Sequence, residues 1–442
     1  MLLHPDRLEA EVLQAVAALR AGCAARRAGA CPEDDAGPLS PYRSLTTRER
    51  FEELSGLSEG IGNRESLRRW LACLIIERVT WEDRVAVQEA RSRAKTVVAG
   101  LGEERWSVQS LVRELLTTQN ERRRGAIAEG LARCSAESSE AAAWWALRRQ
   151  AAALHLGLEG LSWLEAPFER GAELAGQLVL ESTQDVAQEV MRKDSWQEVL
   201  WGGTAMDARE GWPALLTPRW FRSVFGGWKS LEGLRIETGV LCQPLCGASF
   251  ARALSRFGTA VHRGCAERTK GPLWLAPFDA AQASYGALFG SLLTSVPFLR
   301  RRLGLGGPKA REQARSMGLA MLVALRLDGL RAMMSVQGSP SAMVETYSRQ
   351  GSRALCAGVP EELSGVIPRY DPRASAWLAG AVQGAVFRRE LVETYDEDWF
   401  DNPRAQERVV AVDVRNGLLL DEATVRRGAG LLGRWIEEAV IL

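Results

Sequence analysis

"AREQARSMGLAMLVALRLDGL", residues 310–330, decides the fold class. Ala314, Met317, Met321, Ala324 and Leu325 recur at steps of three and four, the spacing that lines one face of an α-helix. Just before this stretch, "LGLGGP" (303–308) follows helical "PFLRRR" and leads into Pro308. A glycine-rich phosphate cradle needs a preceding strand, so this reads as a helix–helix turn. The C-terminus repeats the pattern: Asp421 opens a helix whose Val425, Ala429, Leu432, Ile436 and Val440 share a face. Towards the N-terminus, Thr46 with Glu49 and Thr80 with Asp83 have the spacing of capping boxes. Alternating strand patterns are scarce, and "LRIETGVLCQPL" (234–245) accommodates at most one small β-hairpin. The expected fold is mainly α, a large multi-helix body.

The 442 residues are 46% hydrophobic and 25% charged, enough apolar material for a large core. Lys and Arg number 56 against 55 Asp and Glu, a net charge of +1. Nothing in that balance advertises nucleic acid or acidic lipid. Arg122–Arg124 and Arg300–Arg302 read as solvated helix faces. "MLLHPDRLEAEVLQAV" places acids and a proline where a secretory leader needs an apolar run. No apolar run approaches the roughly 18 residues that span a bilayer. A cytoplasmic protein with no membrane partner is expected. Eight irregularly spaced cysteines then read as thiols. Fifteen tryptophans suit a body of packed helices.

"AGACPEDDAGPLSPY" (28–42) is rich in Gly, Pro and Asp and reads as a linker behind a first helix. Three segments follow: 1–43, 44–230 and 231–442. No fixed-period repeat supports a solenoid.

Standard sites are missing. "GGWKS" (226–230) lacks the first glycine of a phosphate-binding loop and is interrupted by Trp228; no G-x-S-x-G elbow occurs. Histidine is limiting, with only His4, His155 and His262. His155, in "AAALHLGLEGL", is expected at a helix contact. Cys242, Cys246, His262 and Cys265 form C-x3-C-x15-H-x2-C, four soft ligands that could hold a structural zinc. Against that stand the loose C-x3-C spacing and the proline between the first two cysteines. His262 and Cys265 also share a helix face, as a nucleophile and its base would, but no orienting third group is evident.

Three ordered stretches carry a family resemblance. "RFGTAVHRG" (256–264) resembles the active-site helix H-E-x-G-H-A-L-H of the thimet oligopeptidase and oligoendopeptidase zinc peptidases. "SYGALFGSLLTSVPFLRRRLGL" (284–305) is similar to the family's next helix and turn. "LVETYDEDWFDNPRA" (391–405) is similar to its signature near E-D-W-W-x-N-P-x-A. In this last stretch Asn402 can cap a helix that begins at Pro403. The match is clearest over about 250–442. It implies a helical peptidase-like body with a central cleft, and makes 231–442 the counterpart of the catalytic half.

The resemblance also shows what has been lost. Anchored on Gly258 and His262, the first zinc histidine falls on Ser255, the general-base glutamate on Arg256 and the second histidine on Thr259. The third ligand falls near Ala283, within about one turn. Zinc needs three imidazole, carboxylate or thiolate ligands and an open position for water. Neutral hydroxyls bind it poorly, Ala offers nothing, and a permanent guanidinium repels a divalent ion. Without the metal, water keeps its bulk acidity and the peptide carbonyl is not polarised. The family's late tyrosines are also missing, since 373–377 reads Arg-Ala-Ser-Ala-Trp. The expectation is a non-catalytic relative with no cofactor, binding a protein partner, either an active peptidase relative or a second copy of itself. His262 then takes a second-shell or packing position. Two alternatives stay open: a site rebuilt from His262, Glu267 and Asp279, and a module organised by the Cys/His zinc. Ser255, Arg256 and Thr259 together could also receive a small anion or carboxylate.

Overall fold

The computed structural model describes residues 5–27, 37–56, 64–158, 168, 170–191, 195–208, 212, 216–225, 246–270, 280–411 and 420–441. Among these the chain is mainly α, with eighteen α-helices and a single two-stranded sheet. The first four helices are α1 (Pro5–Arg27), α2 (Arg48–Gly56), α3 (Arg64–Val79) and α4 (Trp81–Arg93). Strands β1 (Lys95–Val97) and β2 (Arg105–Ser107) follow, then α5 (Val108–Thr117) and the long α6 (Glu121–His155). Next come α7 (Gly171–Ser182), α8 (Gln184–Val190), α9 (Trp196–Gly202), α10 (Pro218–Val224), α11 (Gly247–Lys270) and α12 (Ala280–Gly290). The chain closes with α13 (Val296–Leu303), α14 (Gly307–Ser335), α15 (Pro340–Leu355), α16 (Ala374–Tyr395), α17 (Pro403–Val410) and α18 (Glu422–Ile441). No helix among the described residues is long and apolar enough to cross a membrane.

Among the described residues a hairpin occurs at a place that alternation did not suggest. Residues 234–245 lie outside the described residues, and the observed pair joins Lys95 to Ser107 and Val97 to Arg105, antiparallel. Its signal is three residues of β-branched chain, Thr96 to Val98, followed by Gly100 and Gly102 at φ 78° and 84°. That is too short to compete with helical patterns in a sequence scan.

Caps show a similar shift. Thr46 spends its hydroxyl on the Tyr42 carbonyl, and Thr47 accepts from Arg50 N to start α2. Thr80 donates back to Ile76 O, so no side-chain cap forms on α4. At the C-terminus the expected devices are present. Asp421 accepts from Thr424 N at 2.7 Å, and all five apolar positions named for α18 are buried. Asn402 Oδ1 accepts from Arg404 N at 3.0 Å ahead of Pro403. Gly304, at φ 72°, ends α13, so "LGLGGP" is the turn into α14.

α14 is buried on more than one side. Ala314, Met317 and Leu325 are buried as the stripe required, but Ala324 is exposed, and Gln313, Gly318 and Arg326 are buried outside the stripe. The helix packs against α7, α15, α16 and α18, so its apolar positions extend around it. Arg326 has no exposed surface and ties this centre together. It donates to Ala354 O, Leu180 O, Thr183 Oγ1, Gln184 Oε1 and Arg353 O over 2.6–3.0 Å. Burial pulls its pKa down to about 10, still far above neutrality.

Three apolar clusters are present. The largest runs from Val87 to Val440, a second gathers α10–α13 and α17 around Phe257 and Phe289, and the third packs α1 against α3 and the end of α6. Leu39, in the second half of the glycine- and proline-rich 28–42 stretch, belongs to that third core. His155, expected at a helix contact, is instead exposed in the last turn of α6. Earlier in α6, Arg149 is fully buried against Glu77, which also takes Arg84 Nη1 at 2.7 Å. Burial alone would raise the Glu77 pKa; the two guanidiniums override it and hold it below the usual carboxylate range.

Candidate functional site

α11 carries Ser255, Arg256, Thr259, His262 and Cys265. Its start is fixed by backbone contacts: Gly247 N donates to Ala205 O at 3.1 Å and Ala248 N to Thr204 O at 3.0 Å. Cys246 N donates to Ser249 Oγ at 3.1 Å, closing the first turn.

α11 and α12 then meet almost backbone to backbone. A Cβ built on Gly258 would lie well inside van der Waals contact with Tyr285 O and Phe289. A Cβ on Gly290 would collide with Ser255 Oγ and come to 3.3 Å from Ala251 O. One on Gly286 would stand 3.2 Å from Ser255 O, 3.5 Å from Thr259 Oγ1 and 3.7 Å from the Trp377 ring. Small residues allow this approach, and the helices close on each other. α12 meets α16 the same way, through Gly380 against Ala283 and Gly384 against the Ser284 carbonyl.

The register narrows the third-ligand position within the turn allowed for it. Ala283 is buried against α16, and the α12 residue facing Ser255 and Thr259 is Gly286, three positions later. Gly286 has no side chain, so the position opposite the two hydroxyls offers no ligand. Ser255 Oγ is pressed towards Gly290. Thr259 donates its hydroxyl to Ser255 O at 2.5 Å. Arg256 is exposed beside them. Among the described residues no three His, Cys, Asp or Glu groups come together to hold a metal ion.

The four-ligand zinc pattern does not assemble. Cys246 precedes the first residue of α11, while His262 and Cys265 sit well along it. At 1.5 Å per residue, sixteen and nineteen residues of helix separate them by about 24 and 28 Å. No ion bridges that span with bonds near 2.3 Å. Cys242 lies outside the described residues.

His262 is buried, 1% exposed, with its ring 4.7 Å from that of Tyr285. Neither ring nitrogen has a hydrogen-bond partner among the described residues. Burial, with Arg263 adding repulsion, lowers its pKa to about 4, so the imidazole is neutral at pH 7. Tyr285 donates its own hydroxyl to Val409 O at 2.9 Å, and burial pushes its pKa up. Cys265 is a buried thiol on the same side of α11. A base this enclosed has no route to an incoming substrate, so a rebuilt hydrolytic centre at His262 lacks geometry. Of its other members, Glu267 lies near the end of α11 and Asp279 lies outside the described residues.

The other two stretches of the resemblance are tied to each other. Arg301, in 284–305, meets Asp398 at 2.5 Å and Asp401 at 3.1 Å, and Arg302 also pairs with Asp401. Phe298 and Phe400 stack edge to face at 5.3 Å beneath these pairs.

Residues that motif reading passed over complete the exposed surface near Thr259. Arg373 lies 5.8 Å from the Trp377 ring and clamps Asp371 at 2.9–3.0 Å. Arg331 pairs with Asp328 and donates to Arg369 O at 2.7 Å. The available signal was the four-residue step from Arg252 to Arg256 and the "YDPR" stretch at 370–373. No family model matches the chain, and no curated protein matches it significantly.

Proposed function

We propose that this chain is a non-catalytic, metallopeptidase-like protein that works by binding another protein. The carrying observation is the α11–α12 contact. Where the resemblance puts two zinc histidines, a base and a third ligand stand Ser255 against Gly290, Arg256, Thr259 bonded to Ser255 O, and Ala283, with Gly286 facing the two hydroxyl residues. None of these is a zinc ligand or a general base. Fold alone does not confer activity, and the groups that would perform hydrolysis are absent from this arrangement.

We place it in the cytoplasm, with a protein partner, an active peptidase relative or a second copy, rather than nucleic acid. The near-zero net charge supports a partner other than nucleic acid. Metal analysis of purified protein, with a mixed peptide library incubated with and without added zinc, tests it. The expected result is no stoichiometric zinc and no cleavage. Zinc-dependent cleavage abolished by a chelator would end the proposal. Affinity purification then separates the partners: an intact zinc peptidase indicates a pseudo-subunit, and recovery of the chain alone indicates self-assembly.

A further inference from the structure

α6 runs for 35 residues and buries one face of its second half. Ala142, Ala143, Trp145, Ala146, Arg149 and Ala153 turn inward. The Tyr370 ring holds Trp145 at 5.1 Å, and Glu77 holds Arg149. The outward face of the same turns is apolar as well. Trp144 is 50% exposed and Leu154 56%, Ala151 is exposed and Leu147 is half-buried. Steps of three and four put these side chains on one stripe. Among the described residues Trp144 has no hydrogen bond, ring contact or cation–π partner. Its neighbour Trp145 serves the core, and Trp144 serves nothing within the chain.

Charges bracket the stripe in a set order. Exposed Glu137 and Glu140 precede Trp144, and exposed Arg148 follows it. α4 runs along one edge, with Arg93 3.6 Å from Glu137 and Asp83 3.6 Å from Arg148. Also from α4, Arg84 lies over the Trp145 ring and is taken by Glu77. On the other edge Ser139 donates to Glu362 O, so exposed Glu361 and Glu362 add to the acidic end. Arg133, paired with Glu129, lies three turns before Trp144. Glu140 has no ion pair among the described residues. A guanidinium carries five donors, so Arg148 can take a second carboxylate beside Asp83.

Glu140, Trp144 and Arg148 form one row at four-residue steps. Such rows are the ridges that lie alongside each other when two helices cross at about −50°. A second copy of α6 running antiparallel sets this row beside itself in reverse. Trp144 then meets Trp144, and Glu140 faces Arg148 on both sides, about 6 Å from the centre at 1.5 Å per residue. Leu147 and Ala151 lie next to the partner copy's indole. A parallel pairing would instead set Glu140 against Glu140 and Arg148 against Arg148, which like charges oppose. A wholly acidic or wholly basic partner would match only one end of the row. A patch that is its own complement is what a two-fold contact between identical chains requires.

We infer that the outward face of α6 around Trp144 is a docking surface for a second copy of this chain, packed antiparallel with reciprocal Glu140–Arg148 pairs. The inference rests on the binding role proposed above and names its partner. Trp144 is the aromatic anchor at the centre, and the two charged residues fix direction and register. Two crossing helices cover less than the roughly 800 Å² per partner of a standard interface, so the dimer dissociates on dilution.

The test is sedimentation velocity of the full chain from about 1 to 100 μM, a range that brackets a weak dimer. The native chain is expected to pass from monomer to dimer as its concentration rises. Trp144→Glu should weaken association at least about ten-fold, as loss of a central aromatic anchor does. Glu140→Arg and Arg148→Glu should each leave the chain monomeric, because like charges then meet. An equal mixture of those two variants should recover the dimer, since every pair is again opposite in sign. Circular dichroism checks that each variant keeps the native helicity. A native chain that stays monomeric throughout, a dimer indifferent to Trp144→Glu, or a mixture no more associated than its parts overturns the inference. A monomeric native chain leaves the non-catalytic reading standing, with an active relative as partner. Zinc-dependent cleavage ends that reading and leaves the dimer standing.

Discussion

Gly258 of α11 lies directly against the Tyr285 carbonyl of α12, so closely that a single methyl group would have no room. Gly290 meets Ser255, and Gly380 meets Ala283, in the same manner. Two helix pairs, α11–α12 and α12–α16, are therefore set by glycine positions, and Ser255 and Thr259 lie at the first.

Gly258→Ala should separate α11 from α12. The new Cβ would be opposed by backbone, which cannot rotate away, so the cost falls in the overpacking range of roughly 1–3 kcal/mol or above. Urea denaturation should show the unfolding free energy fall by that amount and the midpoint shift with it, with Gly304→Ala as a strained but uncrowded comparison. An unchanged midpoint for Gly258→Ala would contradict the packing described.

Ser255→His combined with Thr259→His and Gly286→Glu should not restore a zinc centre. Gly290 leaves the 255 side chain no space for an imidazole, and a side chain at 286 would be pressed against Ser255 O. After dialysis against zinc and metal analysis, the triple variant is expected to carry less than one ion per chain. One tightly held zinc would show that the helix pair opens more readily than its contacts indicate.

Acid should weaken the fold through His262. Its folded pKa, about 4, is below the unfolded value near 6.5, so the unfolded chain binds the extra proton between them. Stability is then complete above pH 6.5 and declines as the pH falls towards 4, by roughly 3 kcal/mol. His262→Phe should flatten that part of the profile. A native and variant profile with the same slope from pH 6.5 to 4 would rule out this titration.

Arg326→Met should cost roughly 3 kcal/mol or more. The change removes five hydrogen bonds at once and leaves the Ala354, Leu180 and Arg353 carbonyls buried without this donor. Thermal melting should reveal the loss, and a Lys in the same place should rescue only part of it, having three donors on one nitrogen. A melting temperature within a degree or so of the native value would refute the stapling role.

The linear order of residues was enough to establish the class of fold. Apolar steps of three and four in 310–330 and 421–440, with Asn402, Asp421 and Gly304 as punctuation, produce helices through interactions within a few residues. Those interactions need no knowledge of the rest of the chain. It was also enough to show that Ser255, Arg256 and Thr259 are the wrong chemistry for zinc, because ligand type is a property of the residue itself. The tertiary structure decided what faces what. Whether residue 283 or 286 lies opposite Thr259 depends on helix rotation, which glycine contacts between helices set. Whether Cys246 can reach His262 depends on whether α11 continues unbroken between them. The grouping of Arg252, Asp328, Asp371, Arg373 and Trp377 joins residues over a hundred positions apart, and no local pattern encodes such a meeting.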